Sequence, residues 1–167
     1  MKNRFEAIFI FALLIGLGSI LVGCGGTSTQ SNTTPIATAS LCLENENAAT
    51  QHFHPFLGIT INNSVEVIPA GVGIQEGCTH VIHTHSTTDA TSGYVILHVE
   101  SPDVRTFYLK DFFNIWGKTF NKDQILDSKV DSTHEIVMTV DEKPSTDYEN
   151  LVLADAQRIV IRYQVKQ

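Results

Sequence analysis

The fold prediction begins from two segments, His80-Val81-Ile82-His83-Thr84-His85 over residues 80–85 and Tyr94-Val95-Ile96-Leu97-His98-Val99-Glu100 over residues 94–100. In the second stretch, the apolar residues Val95, Leu97 and Val99 recur at every second position, which is the period of a half-buried β-strand. A loop of Ser, Thr, Asp and Gly residues separates the two stretches, so we expect them to form an antiparallel hairpin. The side chains between these three residues then face away from the core.

The register of this hairpin decides which histidines share a face. The hydrophobic pattern favours a register in which Ile82 lies opposite Leu97 on the core side of the sheet. His83, His85 and His98 then lie together on the other face, because antiparallel partners point to the same side.

An earlier part of the domain is expected to form a second hairpin. Alternation in residues 52–61 predicts a strand with Phe53 and Leu57 on its apolar face. Asn62-Asn63 predicts a turn, because Asn tolerates left-handed backbone conformations. Residues 65–68 would then return antiparallel.

One short helix interrupts the strands. Leu109, Phe112, Phe113 and Trp116 form an apolar stripe at helical spacing, which predicts a helix over about 109–116 that ends at Gly117. Further strands are expected near residues 134–140 and 158–165. We therefore predict a β-rich α+β fold in which antiparallel hairpins form a sheet with this helix packed on it. The order of hairpin, helix and strands also fits a β-grasp-like arrangement.

The N-terminal segment has the layout of an export signal. Lys2 and Arg4 precede an apolar run over residues 8–17, and this run leads to Leu21-Val22-Gly23-Cys24. The arrangement resembles the signal and lipobox of bacterial lipoproteins. The resemblance implies a signal peptide over residues 1–23 and a protein held on the outer face of a membrane by lipid on Cys24. An uncleaved membrane-spanning anchor is the alternative.

The rest of the chain is expected to contain a tether and one domain. Residues 24–40 hold almost no large apolar side chains, so we predict a flexible tether there. Residues 41–167 then form a single globular domain. The formal net charge of −7 argues against nucleic acid as a partner. The sequence specifies no protein partner.

Two cysteines lie in the domain that follows Cys24. Cys42 and Cys78 would be in an oxidising compartment, so we expect a disulfide between them. Two alternatives stay open at this point: Cys78 ligates a metal ion as a thiolate, or the cysteines are free.

The spacing of the histidines indicates a metal site. Six of the seven histidines lie between residues 52 and 98, and two His-x-His pairs occur among them. Residues i and i+2 of a strand point to the same face, so each pair can converge on one ion. Neutral imidazole is a good ligand for Zn and Cu(II), which are the expected metals. The predicted metal ligands are His52, His54, His83, His85 and His98, with Glu100 or Asp89 nearby.

The two remaining histidines are not expected to be ligands, and the methionine count bears on the choice of metal. His80 faces the core side in the expected register and is assigned a structural role. His134 stands apart from the others and is expected on the surface. The chain has only two methionines, which disfavours a methionine-rich Cu(I) carrier.

Residues 68–74, 78–85, 98–102 and 111–117 carry a second resemblance. They are similar to a group of uncharacterised extracytoplasmic prokaryotic proteins that share a His-Thr-His hairpin and a Phe-Phe…Trp-Gly helix. The resemblance implies a common domain but no established activity. In this chain Ser86 follows the second histidine where the group usually has Asp, which weakens the case for an Asp ligand.

Three functions fit these features. The first is a membrane-tethered protein that binds a transition metal ion. The second is a metal-dependent enzyme with histidine ligands and Glu100 as the base. The third is an interaction module whose histidine face docks a partner without metal. The chain has no Gly-x-Ser-x-Gly, His-Glu-x-x-His or phosphate-binding loop, which favours metal binding over catalysis while the enzyme stays an alternative.

Overall fold

Short β-strands make up most of the secondary structure in the computed structural model, which describes residues 41–43 and 49–167. Within these residues, one α-helix, α1, spans Leu109–Trp116, and a 3₁₀ turn spans Tyr148–Asn150. The predicted β-rich α+β fold class is confirmed. The strands in chain order are β1 Cys42–Leu43, β2 Gln51–Phe53, β3 Phe56–Ile61, β4 Ser64–Val65, β5 Ile74–Gln75, β6 Cys78–His80, β7 Ile82–His83, β8 Val95–Ile96, β9 His98–Ser101, β10 Phe120–Asn121, β11 Gln124–Ile125, β12 Ser128–Lys129, β13 His134–Val140, β14 Lys143–Ser145 and β15 Arg158–Val165.

The largest sheet has the strand order β14-β13-β15-β3-β4, and β8 also pairs with β3. Its pairings are antiparallel except that β15 and β3 run parallel at the centre. Leu57, Ile59, Ile159 and Ile161 on these two central strands are fully buried. The hairpin β3–β4 precedes α1 and the strands β13–β15 follow it, while the β-grasp-like arrangement stays a prediction.

The predicted strand over residues 52–61 is divided into two strands that join different sheets. Pro55 separates β2 from β3, since proline has no backbone N–H to donate to a ladder. The Asn62-Asn63 turn is confirmed, with φ values of 50° and 68°. The return strand is shorter than expected and covers only Ser64–Val65.

A three-stranded sheet, β2-β9-β7, carries histidines on all three strands, and we call it the histidine sheet. The predicted pairing of Ile82 with Leu97 is wrong: Ile82 lies opposite Val99, and His83 lies opposite His98. This is a shift of two residues, which leaves the paired side chains of β7 and β9 on their predicted faces because the period of a strand is two. The shift arises at Leu97, which interrupts the long predicted strand and donates its N–H to the Pro55 carbonyl instead.

The helix is confirmed over Leu109–Trp116. Leu109, Phe112 and Phe113 are buried, as the apolar stripe predicts. At the N-terminus, the Asp111 carboxylate accepts a hydrogen bond of 2.8 Å from the Tyr108 N–H. Gly117 ends the helix in the left-handed conformation, with φ 70°, as is usual for a glycine after a helix.

The predicted signal peptide over residues 1–23, the lipid site at Cys24 and the tether over residues 24–40 lie outside the described residues and stay predictions. In the part of the chain that is described, no helix is both long enough and apolar enough to cross a membrane.

Candidate metal centre

Five histidines meet on one side of the histidine sheet. His52 lies on β2 and His54 follows one residue beyond its end, while His83 lies on β7 and His85 follows two residues later. His98 begins β9, the middle strand, and its ring is the centre of the group. Ring centroids lie 4.5 Å from His98 for His85, 4.7 Å for His54, 5.5 Å for His83 and 6.3 Å for His52.

The five rings form two groups of three that share one member. In each group, one ligand atom from each residue lies within 4.8 Å of the others. We call His83, His85 and His98 the inner trio, and His52, His54 and His98 the outer trio. Both groups have the composition and spacing of a site that could hold a metal ion.

The inner trio contains a pair of nitrogens at the separation that a metal ion requires. The Nε2 atoms of His83 and His85 are 3.2 Å apart. Two nitrogens that each lie 2.0–2.1 Å from a tetrahedral zinc ion are about 3.3 Å apart. Without an ion, the same distance suits a hydrogen bond between the two rings, so a bound ion would replace a proton.

The backbone fixes which nitrogen of His83 is available for a metal ion. Its Nδ1 lies 2.9 Å from the carbonyl oxygen of His80. A carbonyl oxygen only accepts hydrogen bonds, so Nδ1 carries the proton and Nε2 keeps its lone pair. An outer hydrogen bond of this kind is what orients histidines that ligate metals.

The threonine of the His-Thr-His motif holds this strand in place. Thr84 is fully buried, and its hydroxyl donates to the Pro69 carbonyl at 2.9 Å and accepts from the Val72 N–H at 3.1 Å. Its backbone N–H and C=O bond Val72 and Gly71. The loop over residues 69–73 is therefore fastened to the strand through the one residue between the two histidines.

Gly73 allows the loop over residues 69–73 to pack closely against the Ile82 carbonyl and the Cβ of His83. A Cβ atom at position 73 would lie 2.5 Å from the Ile82 carbonyl oxygen and 3.1 Å from the His83 Cβ. Gly73 also has a φ of 80°, a conformation that other residues rarely adopt. The absence of a side chain at residue 73 is thus a requirement for the position of His83.

Glu100 supplies a buried negative charge beside the outer trio. It lies opposite His52 in the β2–β9 ladder, and its side chain is 5 % exposed. Oε1 lies 3.2 Å from His52 Nε2 and 4.0 Å from His98 Nδ1. Oε2 is buried and has no hydrogen-bond partner among the described residues. A buried carboxylate oxygen without a partner is costly, and a nearby cation would offset that cost.

The environment of His98 keeps this ring neutral. Burial, which has the largest effect, and the charges of the neighbouring His85, His54, His83 and His52 together lower the pKa of His98 to about 4. Only a neutral imidazole has a lone pair for a metal ion. His98 is therefore ready to act as a ligand across the physiological pH range.

The other predicted polar residues have separate roles. Cys42 and Cys78 form a disulfide with a Cα–Cα distance of 5.1 Å, so in this form neither supplies a thiolate to a metal ion. The Nδ1 atom of His80, which is next to the disulfide, lies 3.2 Å from the Leu41 carbonyl oxygen, and His80 has a structural role.

The two remaining polar residues take part in local contacts. Asp89 accepts hydrogen bonds from the N–H groups of Thr91 and Ser92, which organise its own turn. His134 stacks on Tyr163, with 5.0 Å between the ring centroids.

The chain matches no family model, no curated protein and no solved structure. The resemblance to uncharacterised extracytoplasmic proteins stays a prediction, and function has to be inferred from the site. Three contributors to that site were missing from the sequence interpretation, namely Thr84, Gly73 and the His80 carbonyl. The glycine was a visible signal, since it lies in the Pro-Ala-Gly-Val-Gly segment that breaks the strand pattern.

Proposed function

We propose that this protein binds a single transition metal ion, Zn or Cu(II), through the inner trio while lipid on Cys24 tethers it to the outer face of a membrane. The observation that carries the proposal is the separation of 3.2 Å between the Nε2 atoms of His83 and His85. His83 is fully buried, and its tautomer is set by the His80 carbonyl, so one ligand is already oriented before an ion arrives.

The charges around the site support a divalent cation. Three neutral imidazoles leave the charge of the ion uncompensated, and the buried Glu100 lies beside the shared histidine. Its carboxylate lowers the free energy of a dication at this place, because opposite charges attract strongly where water is excluded. Nitrogen ligands suit Zn and Cu(II) and disfavour Mg and Ca, which prefer oxygen.

Two features support the location. The Cys42–Cys78 disulfide fits an oxidising compartment outside the cytoplasm. The sequence Leu21-Val22-Gly23-Cys24 after an apolar run supports lipid attachment. Such an anchor would keep the metal site at a membrane surface, where sensing, storage or delivery of the ion would take place.

Calorimetry on the detergent-solubilised full chain tests the metal proposal. Zn and Cu(II) are titrated into the metal-free protein at neutral pH, and into His83→Asn/His85→Asn and His134→Asn variants. Wild type and His134→Asn should bind one ion with equal affinity, and the double variant should bind much more weakly. Equal affinity of wild type and the double variant would show that the inner trio is not the site.

A further inference from the structure

We infer that the cluster offers two alternative positions for one ion, the inner and the outer trio, and that the outer trio is where the ion exchanges with solvent. This inference rests on the proposed function, because the inner trio must first bind a metal ion. The structural basis is that both trios include His98.

The shared histidine prevents both positions from being complete at once. A neutral imidazole has one nitrogen with a free lone pair, so His98 can ligate only one ion at a time. The His98 ring lies almost midway between the two pairs, 4.5 Å from the ring of His85 and 4.7 Å from the ring of His54. An ion can therefore change position by exchanging two ligands while His98 stays nearby.

The two positions differ in how firmly they are built. The inner trio includes His83, which is fully buried and held by the His80 carbonyl. Each trio has one exposed histidine, His85 in the inner trio and His52 in the outer trio, where the side chain is 48 % exposed. Only the inner trio also has a fully buried member. Ligands with fixed orientation bind more tightly because less ordering is required on binding. The inner position should therefore hold the ion, and the outer position should hold it weakly and briefly.

Glu100 gives an independent reason to place a cation at the outer trio. Its carboxylate lies between His52 and His98, and its buried Oε2 has no partner among the described residues. A metal ion at the outer trio would lie next to this carboxylate. The negative charge would stabilise an ion there even though fewer of the ligands are held in place.

Zinc binding and exchange by the full chain in detergent test this inference. Native mass spectrometry gives the number of ions, and stopped-flow mixing with zinc and then with EDTA gives the rates of loading and release. The variant His52→Asn/His54→Asn should keep one ion with a Kd within about threefold of wild type, while both rates fall about tenfold or more. His83→Asn/His85→Asn should still bind one ion weakly, at the outer trio.

The control is His134→Asn, which removes an imidazole from outside the cluster and should change neither affinity nor rates. Circular dichroism checks that each variant is folded, and the single variant His52→Asn, at an exposed position, replaces the double one if that variant misfolds.

The outcomes separate the two proposals. No zinc on wild type would refute the proposed function itself. Two zinc ions bound at once, unchanged rates in the outer variant, or complete loss of zinc from the inner variant would overturn the inference of alternative positions while leaving metal binding intact.

Discussion

Replacing Gly73 with alanine should displace His83, a ligand of the proposed metal centre, and Gly71→Ala provides a matched control. Both glycines have left-handed backbones, with φ values of 80° and 76°, so alanine is strained at either place. This shared strain destabilises the fold by about 1–2 kcal/mol. A Cβ at position 71 meets nothing within 4 Å. Gly71→Ala should therefore destabilise the fold only through this backbone strain.

Gly73→Ala adds a steric clash to this backbone strain. At position 73, the new Cβ would lie 2.5 Å from the Ile82 carbonyl oxygen and 3.1 Å from both His83 Cβ and Ile115 Cγ2. Forcing an extra methyl into a packed place costs about 1–3 kcal/mol. We expect Gly73→Ala to reduce the free energy of unfolding by about 1–3 kcal/mol more than Gly71→Ala. The displaced His83 should also weaken zinc binding by about tenfold or more.

Urea unfolding of the metal-free proteins and zinc calorimetry measure these two effects. The wild type and both variants are compared in the same detergent and buffer. If both alanine variants lose the same stability and keep the affinity of wild type for zinc, the close approach of Gly73 does not position His83.

Three further predictions follow from other parts of the chain. The pKa of His98 is about 6.5 in the unfolded chain and is lowered to about 4 in the folded protein, mainly by burial. As the pH falls from about 6.5 to about 4, the free energy of unfolding of the metal-free wild type should therefore drop by up to about 3 kcal/mol more than that of His98→Gln. Urea unfolding measures both proteins, and equal decreases would contradict the lowered pKa of His98. Replacing Cys42 and Cys78 together by serine should lower the free energy of unfolding by about 3–4 kcal/mol, because the disulfide spans 36 residues. The same denaturation assay checks this, and an unchanged midpoint would count against it. Cys24→Ala should abolish incorporation of radiolabelled fatty acid and release the protein from membranes; labelling at the wild-type level would rule out lipid attachment at that residue.

The faces of the histidine strands could be predicted from the sequence, although their pairing could not. The period of two put His83, His85 and His98 on one side, and a shift of two residues leaves that result unchanged. The pairing itself depended on where the long apolar stretch would break. It breaks at Leu97, because the Leu97 N–H bonds the Pro55 carbonyl, a contact between segments far apart in the chain.

Other parts of the site depend on tertiary contacts that no local pattern contains. Pro55 could be seen to interrupt a ladder, but the two halves of that segment join different sheets only because β9 and β15 lie beside them. The carbonyl of His80 orients His83 through the turn of the backbone between them, and Glu100 becomes a buried charge only when β2 pairs with β9. Helix α1 was predicted with correct bounds, since its apolar stripe and its terminal Gly117 are both local signals.

X-ray absorption at the zinc edge of the zinc-loaded full chain, after removal of unbound metal, tests the metal centre most directly. We expect one zinc ion with at least three nitrogen ligands at about 2.0–2.1 Å and the outer-shell scattering of imidazole rings. After the same removal of unbound metal, His83→Asn/His85→Asn should retain much less zinc than the wild type, because only the weaker outer trio remains. A zinc ion surrounded by oxygen alone, or no zinc retained by the wild type, would contradict the proposed metal centre.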